Sequence, residues 1–246
     1  MKVFISEVSK LVSLPFIWFA FIAGLIVPNG IALIAYSNGS NAATIDIGFA
    51  ELSVGVLGAI VLGGMAIGSE FVTEGEDAAS GRQITTSLIA VPSRIRLLTA
   101  KVGATAIITA VLAFFAIISV FTTIQFISEP GTLIFNGDMF IRMVGVVIYW
   151  ILMALLTFGL TVLTRNAIIP IAVMVVNSSA ITLTYILTQM NSLATYLPDM
   201  AGQKMFFRGV DTGIELTPLA GGMVMAAWVL LLLILAGLAF SRRDVG

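Results

Sequence analysis

Long apolar runs alternate with short polar breaks along this chain, and the runs are of membrane-crossing length. Six transmembrane helices are predicted, over about 14–36, 47–69, 102–127, 140–163, 167–189 and 218–240, each meeting the roughly 20 residues a helix needs to cross a bilayer. The expected fold class is an all-α integral membrane protein, a single domain over residues 1–246. Ahead of the first run, Phe4, Val8, Leu11, Val12 and Pro15 recur at helical spacing, while Lys2, Ser6, Glu7, Ser9 and Lys10 occupy the other side. This predicts an amphipathic helix over 1–13 lying in the membrane surface. A plain polar lead-in to the first span is the competing reading.

Polar and conformationally special residues inside the runs are the candidate functional positions. Pro28, followed by Asn29 and Gly30, should kink the first span, either lining a cavity or simply tolerated by packing. The second span places Gly55, Ala59 and Gly63, and again Gly64 and Gly68, at every fourth position. Such small-residue faces let helix backbones approach closely in lipid. Glu51, one turn into this span, is expected to reach the outer interface. The third span runs into a turn at Ser128–Gly131, and Arg142 sits near the outer end of the fourth. Pro170 falls in the first turn of the fifth, where proline is tolerated. The centre of the fifth carries Asn177, Ser178 and Ser179, placed either for hydrogen bonds between helices or for substrate contact. Residues 190–216 mix aromatic, Met and charged residues and are expected to form short helices dipping into the interface.

Composition then removes most chemistry. The chain is 59% hydrophobic and 10% charged, with net charge −1, so no face carries the excess of Lys and Arg that nucleic acid requires. It has no Cys and no His, which excludes thiolate and imidazole metal sites, Cys nucleophiles and Ser-His-Asp triads. No G-x-x-x-x-G-K-[ST] loop is present, so ATP binding of that kind would have to come from another chain. Lys2, Lys10, Arg82, Arg94, Arg96, Lys101, Arg165, Arg242 and Arg243 fall on one side of the predicted topology, against Arg142, Lys204 and Arg208 on the other. The positive-inside rule then places both termini in the cytoplasm of a plasma-membrane protein.

The largest polar interruption on that side is 70–101. Glu74, Glu76 and Asp77 lead into a predicted helix over about 78–90, where carboxylates complement the helix dipole. Ile84, Leu88 and Val91 form one apolar stripe, with Arg82, Gln83, Thr86 and Ser87 around it, and Pro92 stops the helix. A lipid anchor, a solvated loop and a docking helix are the three readings. Glu70, Glu74, Glu76 and Asp77 match Arg82, Arg94, Arg96 and Lys101 in number, which argues against lipid anchoring alone. A docking helix for a protein partner fits best.

Glu70, Leu88, Pro92, Arg94, Leu98 and Lys101, the string SLIAVPSRIRLLTAK at 87–101, and Tyr196–Gly202 resemble the membrane permeases of type-2 ABC exporters, particularly actinobacterial ones. The resemblance implies an N-terminal elbow helix and a cytoplasmic coupling helix over 78–91 between spans two and three. It implies contact with the ATPase through Glu70, Glu74, Arg82, Ile84, Leu88, Pro92 and Arg94. It implies two permease subunits with two separate ATPase subunits that hold ATP and Mg, and no cofactor in this chain. Spans one, two and five would line the pathway or subunit interface, giving roles to Pro28, Asn29, Gly55, Gly63, Asn177 and Ser178. The acidic run Glu74-Gly75-Glu76-Asp77 departs from the family's usual lead-in. Expected cargo, by analogy, is a peptide antibiotic or hydrophobic drug, which would link the chain to antibiotic resistance. A membrane scaffold or sensor beside an ABC ATPase, and an intramembrane hydrolase built on isolated carboxylates such as Glu51, are the alternatives.

Overall fold

The computed structural model describes residues 2–37, 44–71, 93–128, 133, 136–178, 183–209 and 214–242, and every regular element among them is helical. In chain order these are α1 (Lys2–Ser13), α2 (Pro15–Ser37), α3 (Phe49–Gly55), α4 (Leu57–Gly68), α5 (Arg94–Ile127), α6 (Gly137–Thr164), α7 (Ile168–Asn177), α8 (Leu183–Met190), α9 (Pro198–Gln203) and α10 (Pro218–Arg242). Short 3-10 turns cover Thr44–Asp46, Ser69–Phe71 and Ser192–Tyr196. Five stretches are long and apolar enough to cross a membrane: Pro15–Ser37, Phe49–Phe71, Ile95–Ile127, Gly137–Thr164 and Pro218–Ser241. The protein is therefore a multi-pass helical membrane protein. The predicted coupling helix over 78–91, with Glu74, Arg82, Ile84, Leu88 and Pro92, lies outside the described residues.

The centre of the bundle is α6, which packs against α4, α5, α7 and α10. Tyr149, Trp150, Met153, Ala154 and Phe158 are its buried face. Lipid tails are as apolar as these side chains, so the helices associate through close packing and hydrogen bonds, with little hydrophobic drive. Glycine on α4 makes that packing close. A Cβ on Gly63 would lie 2.0 Å from the Ala154 carbonyl oxygen of α6, and one on Gly58 would lie 2.5 Å from the Ala20 carbonyl oxygen of α2. Gly64 and Gly68 similarly abut Ile171 and Ala167, in α7 and just before it. Trp150 adds a hydrogen bond, its Nε1 donating to the Leu52 carbonyl at 3.1 Å.

Helix ends follow local chemistry. The Ser93 hydroxyl accepts from the Arg96 amide at the start of α5, and the Asn136 side chain accepts from the Met139 amide at the start of α6. With Ser93 as its cap, α5 begins at Arg94, eight residues ahead of the predicted 102. At about 1.5 Å per residue its length is ~50 Å, so it reaches well beyond a ~30 Å hydrocarbon core. Gly48 starts α3 at φ 85°, and the Glu51 carboxylate accepts from the Gly48 amide at 2.8 Å. Glu51 is buried and caps its own helix.

The fifth predicted span differs most. Its apolar run is described as α7 and α8, with 179–182 outside the described residues. The ten residues of α7 cover only about 15 Å, so neither piece crosses a bilayer alone. The polar cluster at Asn177 and Ser178 marks the end of α7.

Candidate functional site

The ionisable side chains of the described residues gather into clusters at the two ends of the bundle. At the first end, α1 lies against α5 and positions Glu7, with Lys10 one turn on. Glu70 follows α4 in the 3-10 turn Ser69–Phe71, and Lys101 sits two turns into α5. Lys101 Nζ donates to Glu7 Oε2 at 2.6 Å and to Glu70 Oε1 at 2.9 Å. Lys10 pairs with the same Glu70 oxygen. Glu70 and Lys101 are almost wholly buried, and Lys10 is partly open. Among the described residues two acids meet two bases here, which suits a low-dielectric site where an uncompensated charge costs several kcal/mol.

Amphipathic periodicity had assigned Glu7 to the polar face of α1. The packed face instead runs through Phe4, Glu7 and Leu11, while Ile5 and Val12 are exposed. The ammonium of Lys101 is what makes a carboxylate tolerable there. The network ties α1 to both helices that flank residues 72–92. Of the residues predicted to form the ATPase contact, Glu70 is thus a buried network member and Arg94 opens α5. The partners Glu7, Lys10 and Lys101 were not foreseen as one site.

At the other end, Arg142, near the start of α6, is buried and paired with Asp46. Its Nε donates to the Phe206 carbonyl and its Nη1 to the Ile45 carbonyl, both at 2.6 Å. The guanidinium lies 3.9 Å from the Phe49 ring centroid. Asp46 also accepts from the Arg208 and Gly209 amides. This cluster pins the segment after α9 to the starts of α3 and α6.

The pathway candidates fall in different places. Pro28 is buried within a continuous α2, facing the hollow left by Gly55. Asn29 Nδ2 donates to the Leu25 carbonyl at 2.7 Å and to the Ser119 hydroxyl at 2.8 Å, and its Oδ1 accepts from Thr123 at 2.6 Å. Asn29 therefore joins α2 to α5. Gly63 opens toward α6. Asn177 Nδ2 donates to Asp199 Oδ2 at 2.8 Å, and the Thr184 hydroxyl approaches that same oxygen. Asp199 is buried, and no Lys or Arg among the described residues pairs with it. Burial pushes its carboxyl up from the ordinary value, against the lowering effect of the Thr184, Asn177 and Met200 hydrogen bonds. The buried hydroxyls of Ser178 and Tyr149 close no hydrogen bond, although Tyr149 is directed toward Gln203.

Among the described residues, no group of three Asp or Glu side chains is placed to hold a metal ion. What fold and site define is a multi-pass helical membrane protein whose charges form structural networks at the bundle ends. No protein-family model matches the chain, and no curated protein does.

Proposed function

We propose that this chain is the permease subunit of an ATP-binding-cassette exporter, working with two separate ATPase subunits that bind ATP and Mg and with a second permease. The observation that carries the reading is the Glu7–Lys101–Glu70–Lys10 network. It links the amphipathic α1 to both ends of the long polar segment 72–92, whose predicted helix has an apolar stripe at Ile84 and Leu88. A push delivered to that segment by an ATPase would act on α1, α4 and α5 together. Close glycine contacts between α4 and α6 would carry the displacement into the bundle. Binding of ATP by the partner would favour one of two arrangements through its differential affinity for them.

In this reading α1 is the elbow helix, residues 78–91 are the coupling helix, and both termini are cytoplasmic. The stretch from α7 to α8 completes a sixth traverse. The exposed apolar faces of α2 and α7, with Phe19, Ile26 and Ile34 on one and Ile169, Val173 and Val176 on the other, meet lipid or the second permease. Cargo is a hydrophobic drug or an antibiotic peptide.

The test is purification of the tagged chain from its own membrane in mild detergent. A P-loop ATPase should accompany it, and Leu88→Asp should release that ATPase without disturbing membrane insertion. No ATPase with the folded wild-type chain sinks the proposal. ATPase retained by the variant sinks the coupling-helix assignment. ATPase activity that no cargo stimulates, with no vesicle transport, makes the chain a scaffold or sensor.

A further inference from the structure

We propose that Asn177, Thr184 and Asp199 form a proton-binding site, in which a proton held on the Asp199 carboxyl clasps α7 and α8 to α9. The three side chains form a closed triangle: Asn177 to Asp199 at 2.8 Å, Thr184 to Asn177 at 3.1 Å, and Thr184 to the same Asp199 oxygen. Three edges need three hydrogens. The amide of Asn177 presents its NH2 to one neighbour and its carbonyl to the other, so it supplies one edge. The threonine hydroxyl has one hydrogen and supplies a second. With an ionised Asp199 the third edge is two oxygens facing each other without a hydrogen between them. Turning the Asn177 amide over moves the empty edge and does not fill it. A proton on Asp199 closes the triangle in either orientation.

The surroundings favour the same state. Asp199 is 2% exposed, and leaving water disfavours a carboxylate that has no cation beside it. The elements packed on α9 are α6, α8, α10 and the 3-10 turn Ser192–Tyr196. Their titratable side chains near this level are Tyr149, Tyr185 and Tyr196, with Lys204 just past the end of α9. No titratable residue occurs in α7, and α10 has none before Arg242. Hydrogen bonds from Thr184, Asn177 and the Met200 amide favour the ionised form, and burial exceeds them.

Because the folded chain holds this proton more tightly than an unfolded one, the contribution of this site to stability is fully present at acidic pH. It falls as pH rises from the ordinary aspartate value of about 3.9 through the raised value. At alkaline pH the triangle loses an edge and its hold of α7 and α8 on α9 weakens. This inference stands independently of the exporter reading, because it concerns only the described contacts.

The experiment is infrared difference spectroscopy of the purified full chain. The wild type at neutral pH should give a protonated-carboxyl C=O band that Asp199→Asn removes and alkaline pH abolishes. An amide at 199 supplies the third hydrogen itself once Asn177 turns over, so this variant should fold and lose the alkaline destabilisation. Thr184→Val provides a second reading: it keeps the carboxyl but removes its acceptor, so the band should move to higher frequency. A neutral-pH spectrum with no acid band lost in Asp199→Asn overturns the proposal. So does an unshifted spectrum in Thr184→Val.

Discussion

Replacing Lys101 with Met keeps the length of the side chain and removes the ammonium that joins Glu7 to Glu70. Lys101 is 1% exposed and contacts the two carboxylates at 2.6 and 2.9 Å. In Lys101→Met, Glu70 keeps Lys10, but the ion pair of Glu7 is lost. Breaking a buried pair by deleting one partner costs about 3–5 kcal/mol, and water reaching the cluster beside the half-open Lys10 puts the expected loss near the lower figure. Glu7→Gln in the same background should recover about 2 kcal/mol, because the remaining Lys10–Glu70 pair is neutral and the coupling of contacting residues runs to a few kcal/mol. The assay is denaturant titration of the purified chain in detergent, followed by tryptophan fluorescence. Trp150, fully buried and hydrogen-bonded to α3, reports on the bundle core. If Lys101→Met costs less than about 0.5 kcal/mol, the range of an ordinary surface change, the network is not structural. Strict additivity of the two substitutions refutes the coupling.

Gly63→Ala should abolish monodisperse purified protein, because its Cβ would sit 2.0 Å from a backbone oxygen of α6, whereas Gly30→Ala, with nothing within 4 Å, should behave as wild type; size-exclusion profiles compare them. Arg142→Met should destabilise the chain by about 3–5 kcal/mol, since buried Asp46 loses its cation and the Phe206 and Ile45 carbonyls lose a donor. Proteolysis within 204–209 should accelerate in that variant, and an unchanged cleavage rate counts against the pinning role.

The apolar runs were legible because membrane spans are recognised by length and hydropathy, which any single stretch displays. The fifth run carried its own warning at Asn177, Ser178 and Ser179, but a polar cluster looks alike whether it bridges two helices or ends one. Its partner Asp199 lies 22 positions away, in a segment that by composition alone is an outer loop. Glu7 was misplaced for a related reason. Periodicity sorts residues by polarity, and a carboxylate on the packed face becomes acceptable only through Lys101, 94 residues on. The pairing of Arg142 was likewise hidden, because its partner Asp46 is 96 positions earlier. Local pattern predicts where apolar surface goes. It cannot pair charges across the bundle.

The two end clusters also differ in what movement they permit. At the Arg142 end, the bonds run to backbone carbonyls of Ile45 and Phe206 and to backbone amides of Arg208 and Gly209, so no partner can be exchanged without refolding a loop. At the Glu70 end, Lys101 bonds to the side chains of Glu7 and Glu70, and Lys10 to that of Glu70. Lys10 of α1 and Lys101 of α5 meet the same Glu70 oxygen, so Glu70 would keep a cation if α1 shifted along α5. Between the ends, α2 is fastened to α5 at Asn29 and α3 to α6 at Trp150, both within the helices. A two-state exporter needs one end that rearranges and one that holds, because a packed interior switches between arrangements and does not deform smoothly. The end whose charges can re-pair is the end that adjoins residues 72–92, where the proposed ATPase would push.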